Sequence, residues 1–297
     1  MTAEGAYAYG GVGRDPAAKG HVPPDPAVLL GAVREDIRQT LRTGWIDPVL
    51  EAAAASPAFL TAAWSAVRPN VSKSFLLLSR AVRTEAGDSA RATLSPPDLR
   101  RRLHSDLSEE EFRRAEESVR AAHLAMAKVQ IVSHILYRAV RRERLAGTGR
   151  EEPPVRRGVP DWQRWMSFQP APEESRNVLD HAVALHGLPG PPTPLRLLAR
   201  WPPALIAVWD ELGQVWGAEA WRGGTIRLRR TILAGLRTLP HPVELQWTAL
   251  LARGFTETDR AGLAEVLASH DASMASQTLA AAFIWLAFGA PEVGVEA

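Results

Sequence analysis

Two histidines and one carboxylate are the side chains whose types and spacing could perform acid–base chemistry. His270 and Asp271 are neighbours, and His123 precedes Asp271 by 148 positions. A histidine oriented by a carboxylate is a common general base. If the helices that carry them face each other, we expect His123, His270 and Asp271 to converge on one cleft. The alternative is that each is an exposed helix residue or a hydrogen-bonded group of the core.

No metal or cofactor site is expected. The chain has no Cys, which excludes disulfides, thiolate-bound zinc, iron–sulfur clusters and thiol nucleophiles, and which is compatible with a reducing cytoplasm. His181 and His186 are five residues apart and therefore lie on different faces of a helix, unlike the i, i+4 pair that binds zinc. The glycine-rich phosphate-binding motifs and the GxSxG nucleophile motif are also absent.

Charge and hydrophobicity narrow the possible partners. The 35 Lys and Arg residues nearly cancel the 33 Asp and Glu residues, for a formal net charge of +2. Arginine runs at 100–102, 141–142 and 227–230 could form a nucleic-acid groove, but acidic residues interrupt them and no aromatic pattern accompanies them. We expect solvated helix faces and no nucleic-acid binding. No apolar run reaches the ~20 residues of a membrane span. We therefore expect a soluble, cytoplasmic protein without a membrane partner.

The elements that must position such residues are predicted to be helices. Apolar residues recur at helical spacing from residue 28 onwards, and alternating strand patterns are almost absent. Ser108 with Glu111, and Thr256 with Asp259, form capping boxes that begin two further helices. Residues 1–25 are predicted to be a disordered leader, 26–144 a first helical repeat, 145–173 a Pro/Gly-rich linker and 174–297 a second helical repeat.

Two segments support a duplicated unit. Residues 56–64 (SPAFLTAAW) align with residues 201–209 (WPPALIAVW) at an offset of 145 positions, with Pro57, Leu60, Ala62 and Trp64 identical to their mates. The caps at Ser108 and Thr256 repeat at an offset of 148. We therefore predict an all-α fold of two pseudo-symmetric repeats packed as an intramolecular pseudo-dimer. The cleft between such repeats is a natural ligand site.

Three further segments carry a resemblance to a known family. Residues 35–45 read EDIRQTLRTGW, residues 198–202 read LARWP, and residues 262–267 read GLAEVL. In this order and spacing they resemble the group I 2-haloacid dehalogenases, which act on both enantiomers of their substrates. The resemblance implies an all-α hydrolase of carbon–halogen bonds in small 2-halocarboxylic acids. It also implies that an Asp activates a water molecule, which attacks the substrate carbon directly.

Only some of the family's pocket residues have a matching residue in this sequence. The resemblance places Trp45, Met126, Thr193, Pro194 and His270 in the substrate pocket. Trp45 matches the family's pocket tryptophan, whereas Pro194 stands at the position of the catalytic Asp, and Pro48 replaces a pocket aromatic. No Asp or Glu lies between Ala184 and Trp209 to take the place of that Asp.

Two functions remain open from the sequence. The first is a dehalogenase-type hydrolase whose catalytic residues are unassigned, with His270, Asp271 and His123 as the candidates. The second is a re-purposed member of the fold that binds a small apolar carboxylic acid, or a partner, without hydrolysis. In both cases the expected ligand is a small carboxylic acid, and a homo-oligomer is possible.

Overall fold

The computed structural model describes residues 26–289, so the predicted leader at 1–25 lies outside the described residues. Over 26–289 the chain forms twelve α-helices and no sheet, which confirms the all-α prediction. None of these helices is long and apolar enough to cross a bilayer. The helices are α1 (Pro26–Leu41), α2 (Pro48–Ala54), α3 (Pro57–Val67), α4 (Lys73–Thr93), α5 (Arg100–Asp106), α6 (Glu109–Val140), α7 (Glu173–His186), α8 (Thr193–Leu198), α9 (Pro202–Val215), α10 (Glu219–Gly235), α11 (Trp247–Ala252) and α12 (Glu257–Ala287).

Long and short helices alternate in the same pattern before and after the long connection between α6 and α7. The first six helices have 16, 7, 11, 21, 7 and 32 residues, and the second six have 14, 6, 14, 17, 6 and 31. Packing follows the same order, because α1 packs on α3 as α7 packs on α9. Among the four short helices, α2 and α8 exchange partners, with α2 packed on α12 and α8 packed mainly on α6. This exchange brings the short helices to the centre of the molecule.

The long helices α6 and α12 form the axis of the fold. Both begin at the predicted capping boxes, in which the side chains of Ser108 and Thr256 accept hydrogen bonds from the backbone amides of Glu111 and Asp259. The two helices run antiparallel, since His134 faces Asp271 at one end and His123 faces Trp285 at the other. Small buried side chains allow their close approach. They include Ala121, Ala122, Ala125 and Ala127 of α6, and Ala275, Ala280, Ala281 and Ala282 of α12.

The connection between α6 and α7 packs on the loop that precedes α2. It contains one short 3-10 turn, Asp161–Gln163, and no α-helix. A Cβ atom added at Gly44 would overlap the backbone carbonyl oxygens of Gln163 and Met166. Only glycine therefore allows this approach, which fixes the loop carrying Trp45 against the connection.

We expect Gly44→Ala to destabilise the protein by about 2 kcal/mol, because neither backbone carbonyl can move away as a flexible side chain would. Gly31→Ala is the matched control, since Gly31 lies on the exposed face of α1 with no atom near the added methyl group. That variant should be stabilised by up to about 1 kcal/mol through its higher helix propensity. Urea unfolding followed by circular dichroism measures both changes. Equal stability of Gly44→Ala and wild type would contradict the close packing.

Candidate functional site

A buried carboxylate, Asp47, lies where α2 and α8 begin. Asp47 is the N-cap of α2, and its Oδ1 accepts a hydrogen bond from the backbone N–H of Val49 at 3.1 Å. Its Oδ2 accepts a hydrogen bond from the hydroxyl of Thr193, the first residue of α8, at 2.7 Å. Only 2% of Asp47 and none of Thr193 is exposed. The carboxylate therefore joins an element from the first half of the chain to one from the second.

Burial dominates the electrostatics of Asp47. It raises the pKa of the carboxyl group, while the hydrogen bonds from Thr193 and Val49 and the charge of Arg196 act in the opposite direction. Burial also lowers the pKa of Arg196, against the effect of Asp47. A carboxyl group whose pKa is raised toward neutral pH is a stronger base than an exposed Asp. Such groups cluster at functional sites.

An aromatic wall lies beside this carboxylate. The guanidinium group of Arg196 lies over the ring of Phe168, 3.7 Å from its centroid. The Phe168 ring is in turn 6.3 Å from the ring of Trp45, at an angle of 55°. Trp45 is buried, and its indole N–H has no hydrogen-bond partner within residues 26–289. The site thus combines a buried acid, a cation and apolar rings.

A chain of hydrogen bonds extends from the site along α12. The backbone N–H of Thr193 donates to Oε1 of Gln277 at 3.0 Å, and the Gln277 amide donates to the Ser273 hydroxyl at 3.1 Å. The Ser273 hydroxyl then donates to the backbone carbonyl of His270 at 2.8 Å. Gln277 therefore orients the start of α8, and with it the hydroxyl that holds Asp47. Burial lowers the pKa of the His270 imidazole, which favours its neutral form.

The structure places the residues predicted by resemblance in two groups. The first group surrounds Asp47: Thr193 is hydrogen-bonded to Asp47, and Pro194 follows Thr193 as a buried residue of α8. Trp45 lies two positions before Asp47 in the sequence. Met126 and His270 lie on the long helices. Met126 is fully buried, and its backbone carbonyl accepts a hydrogen bond from the Thr278 hydroxyl at 3.5 Å.

The histidine and carboxylate candidates do not converge. Asp271 contacts Nδ1 of His134 at 3.2 Å, whereas the ring of His123 stacks on Trp285. His123 is eleven residues from His134 along α6, which is about 16 Å at the rise of an α-helix. The reason is that antiparallel helices bring equivalent positions together only at their crossing point. The prediction that His123 joins His270 and Asp271 therefore does not hold in this structure.

Sequence reasoning missed Asp47, Arg196 and Gln277. The family resemblance places the base in the second half of the chain, so it gives no reason to choose Asp47, which lies in the first half. A usable pattern was present, because Asp47-Pro48 and Thr193-Pro194 both precede or begin a short helix, at an offset of 146 positions. That offset differs by one from the offset of the aligned segments. Proline in the first turn of both helices marks these as equivalent starts.

A metal centre has no support in the described part of the chain. No group of three or more His, Asp or Glu side chains in it could hold a metal ion. The residues around Asp47 are a hydroxyl, an amide, a guanidinium group and aromatic rings, which do not form the donor set of a divalent cation.

The fold and the site define an all-α protein in which two antiparallel central helices flank a buried carboxylate and an aromatic wall. No family model and no curated protein matches the chain. Solved structures do match. A D-2-haloacid dehalogenase mutant in complex with D-2-CPA has a TM-score of 0.79 at 17% identity, over 87% of this chain and 91% of that one. A D-2-haloacid dehalogenase in complex with L-LA has a TM-score of 0.77 at 16% identity, over 87% of this chain and 92% of that one. The chain therefore has a 2-haloacid dehalogenase-like fold, as the sequence resemblance predicted.

Proposed function

We propose that the protein hydrolyses the carbon–halogen bond of a small 2-halocarboxylic acid, with Asp47 as the base that activates water. The observation that carries the proposal is the position of Asp47. Its carboxylate is hydrogen-bonded to Thr193, the residue that precedes Pro194, where the resemblance expected the catalytic Asp. The first half of the chain thus supplies an acid next to the point where the second half lacks one.

The chemistry requires one proton transfer and one displacement. Asp47 accepts a proton from water as the water oxygen bonds to C2 of the substrate. The carbon–halogen bond breaks and its electron pair leaves with the halide ion. The products are a 2-hydroxy acid, a halide ion and a proton that Asp47 later releases to solvent. No covalent ester with the enzyme forms in this sequence.

The neighbours of Asp47 suit the other parts of such a substrate. Arg196 offers a guanidinium group whose planar pair of N–H donors matches a carboxylate. Trp45 and Phe168 offer apolar surface for a short carbon chain and restrict competing solvent. Thr193 holds the Asp47 carboxylate in one orientation through the 2.7 Å hydrogen bond.

The test is halide release from each enantiomer of 2-chloropropionate, with the 2-hydroxy acid identified by chromatography. We expect wild type and an Asp271→Asn control to release chloride, and Asp47→Asn to release far less. Turnover in ¹⁸O-labelled water under single-turnover conditions should place the label in the product and leave the protein unlabelled. No chloride from wild type, or equal rates from Asp47→Asn and wild type, would overturn the proposal.

A second candidate is a binding protein in which Asp47 is only a structural bridge. It is favoured by the hydrogen bond that each carboxylate oxygen already accepts, from Val49 and from Thr193. In that case short carboxylic acids should raise the melting temperature without any turnover. Loss of this stabilisation in Arg196→Met would then identify the guanidinium group as the ligand's partner.

A further inference from the structure

Two neighbouring helices, α4 and α10, form one outer surface of the molecule. They run antiparallel, since Arg227 of α10 pairs with Glu85 of α4, while Gly235, further along α10, packs against Leu78, earlier in α4. Both helices pack their inner sides on α12 and turn their outer sides to solvent. We call the exposed residues of these outer sides, within 73–88 and 219–237, the α4–α10 face. The proposed hydrolysis makes no use of it.

The outer side of α10 carries apolar and basic side chains together. Residues three, four, seven or eight positions apart lie on the same side of a helix. The exposed residues that follow this spacing, the last of them in the turn after α10, are Arg222, Ile226, Arg229, Arg230, Leu233 and Arg237. Ile226 is 50% exposed and Leu233 is 46% exposed. Two apolar side chains therefore stand in solvent among four guanidinium groups.

These four arginines have little acid beside them. Glu219, in the first turn, is the one acidic residue of α10, and residues 222–238 contain no Asp or Glu. None of the four makes an ion pair within residues 26–289, where two of them donate only to backbone carbonyls. On the exposed side of α6, by contrast, Arg113 and Arg114 both pair with Glu110. The charge of the α10 stripe is therefore available to a partner.

The outer side of α4 continues the same composition. Leu77 is 56% exposed, with Lys73 one turn before it and Arg80 one turn after it. Neither cation is ion-paired in the part of the chain that the structure describes. The acid on this side is Asp88, whose Oδ1 is 3.4 Å from Nη1 of Arg91. With two cations from α4 and four from α10, the α4–α10 face is both basic and apolar.

We propose that the α4–α10 face binds the surface of an anionic phospholipid bilayer. Exposed apolar side chains flanked by Arg and Lys are typical of helices that lie in a membrane interface, where the apolar groups enter the headgroup region and the cations meet lipid phosphates. A guanidinium group offers a planar pair of N–H donors that matches a phosphate. About half of each apolar side chain is exposed, so these side chains project and can enter a lipid layer.

The contact proposed is peripheral. The expectation from the sequence that the protein has no membrane partner rested on the lack of a spanning segment, and an interfacial contact needs none. Charge complementarity favours an anionic bilayer over a neutral one, because six cationic residues face the headgroups.

Sedimentation with sucrose-loaded vesicles tests the proposal. One set of vesicles is phosphatidylcholine alone, and the other contains about 30% phosphatidylserine. We expect wild type to bind the anionic vesicles about tenfold more tightly, or better, than the neutral ones. Added salt should weaken this binding, because it screens the attraction between the cations and the lipid phosphates.

Two double variants locate the contact. Ile226→Ser with Leu233→Ser removes the apolar side chains, and Arg230→Gln with Arg237→Gln removes two cations that have no ion pair or hydrogen bond within the described residues. Each should weaken binding to the anionic vesicles about tenfold or more. All four side chains are exposed, so both variants should fold, which circular dichroism and thermal melts check.

A matched double variant on α7 serves as the control. Arg176→Gln with Leu185→Ser also removes one exposed cation and one exposed apolar side chain, and it should bind as wild type does. Failure of wild type to sediment with the anionic vesicles would overturn the proposal, as would equal binding to both kinds of vesicle. Unchanged binding in either α10 double variant would place the contact elsewhere.

An acidic macromolecule is the other possible occupant. If wild type is retained on poly-glutamate or on duplex DNA, both α10 double variants lose that retention, and no vesicle is bound, the lipid proposal is wrong. Vesicle binding requires no turnover, and chloride release requires no vesicle. This proposal and the proposed hydrolysis therefore fail separately.

Discussion

The Asp47→Asn variant is expected to lose activity by about 10²–10⁴-fold, if Asp47 is the base that we propose, and to be more stable than wild type at pH 7. Activity falls because an amide cannot accept the proton of the attacking water. Stability rises because burial disfavours the charged carboxylate more strongly than its hydrogen bonds and Arg196 favour it. An amide has the same shape: its oxygen can accept from the backbone N–H of Val49, and its N–H can donate to the Thr193 hydroxyl oxygen, which reverses the direction of that hydrogen bond. Arg196 is only half-buried, and its cation–π contact with Phe168 is independent of Asp47.

The direction of the pH dependence follows from the raised pKa. Folding favours the protonated form of Asp47, so its contribution to stability is fully present below the ordinary pKa of Asp and is lost as the pH rises through the raised value. The stability difference between Asp47→Asn and wild type should therefore be large at pH 8 and small at pH 4. Wild-type activity should fall on the acidic side at a higher pH than an ordinary Asp would cause.

Urea unfolding of both proteins between pH 4 and pH 8 measures this difference. Asp36→Asn is a suitable control, because Asp36 is exposed in part and ion-paired with Arg157 and Arg68, so removal of its charge should not stabilise the protein. A stability difference that is constant with pH would show that Asp47 does not titrate differently on folding. A lower stability of Asp47→Asn at pH 7 would mean that Arg196 holds the carboxylate as an ion.

Trp45→Ala is expected to destabilise the protein by about 3–5 kcal/mol. Trp45 is 3% exposed, it packs on Phe168, and its loop is fixed by the contacts of Gly44 with the connection at Gln163 and Met166. Because these backbone contacts prevent collapse, truncation should leave a cavity. Thermal and urea unfolding measure the loss.

Trp45→Phe separates packing from hydrogen bonding in the same position. It keeps most of the apolar volume. It also removes a buried indole N–H that has no partner in the described structure, and with it the cost of about 1–3 kcal/mol for leaving that donor unsatisfied. We expect this variant to stay within about 1.5 kcal/mol of wild type. Equal losses for Phe and Ala would instead indicate that the indole N–H makes an essential hydrogen bond to a bound group.

Local patterns were sufficient to predict the elements of the fold. The capping boxes at Ser108 and Thr256 predicted the starts of α6 and α12, because a cap depends on residues three positions apart. The Pro/Gly-rich segment at 145–173 contains no α-helix except the first residue of α7. The division into two repeats stays a prediction, which the matching order of helix lengths supports.

The candidate site could not be predicted from residue spacing within one segment, because it is formed by residues from distant parts of the chain. Asp47 has the ordinary sequence context of a helix cap, and its carboxylate does accept the capping hydrogen bond from the backbone N–H of Val49. Its meeting with Thr193 follows from the packing of α2 on α12 and of α8 on α6, which brings residues 146 positions apart into contact. His123 shows the opposite case. It matches Asp271 in the repeat offset of 148 positions, yet the antiparallel packing of α6 and α12 places it beside Trp285 instead.

The exchange of the short helices between the two long ones has an evolutionary consequence. Since α2 and α8 begin at a common point, the chain has two neighbouring backbone positions from which one acid can reach the same volume. If the acid is catalytic as we propose, we expect that its loss at one position can be compensated by an acid at the other on the same scaffold. The reciprocal double variant Asp47→Thr with Thr193→Asp recreates such an exchange within a single protein, and halide release by it would show whether an acid at position 193 can take over the role proposed for Asp47.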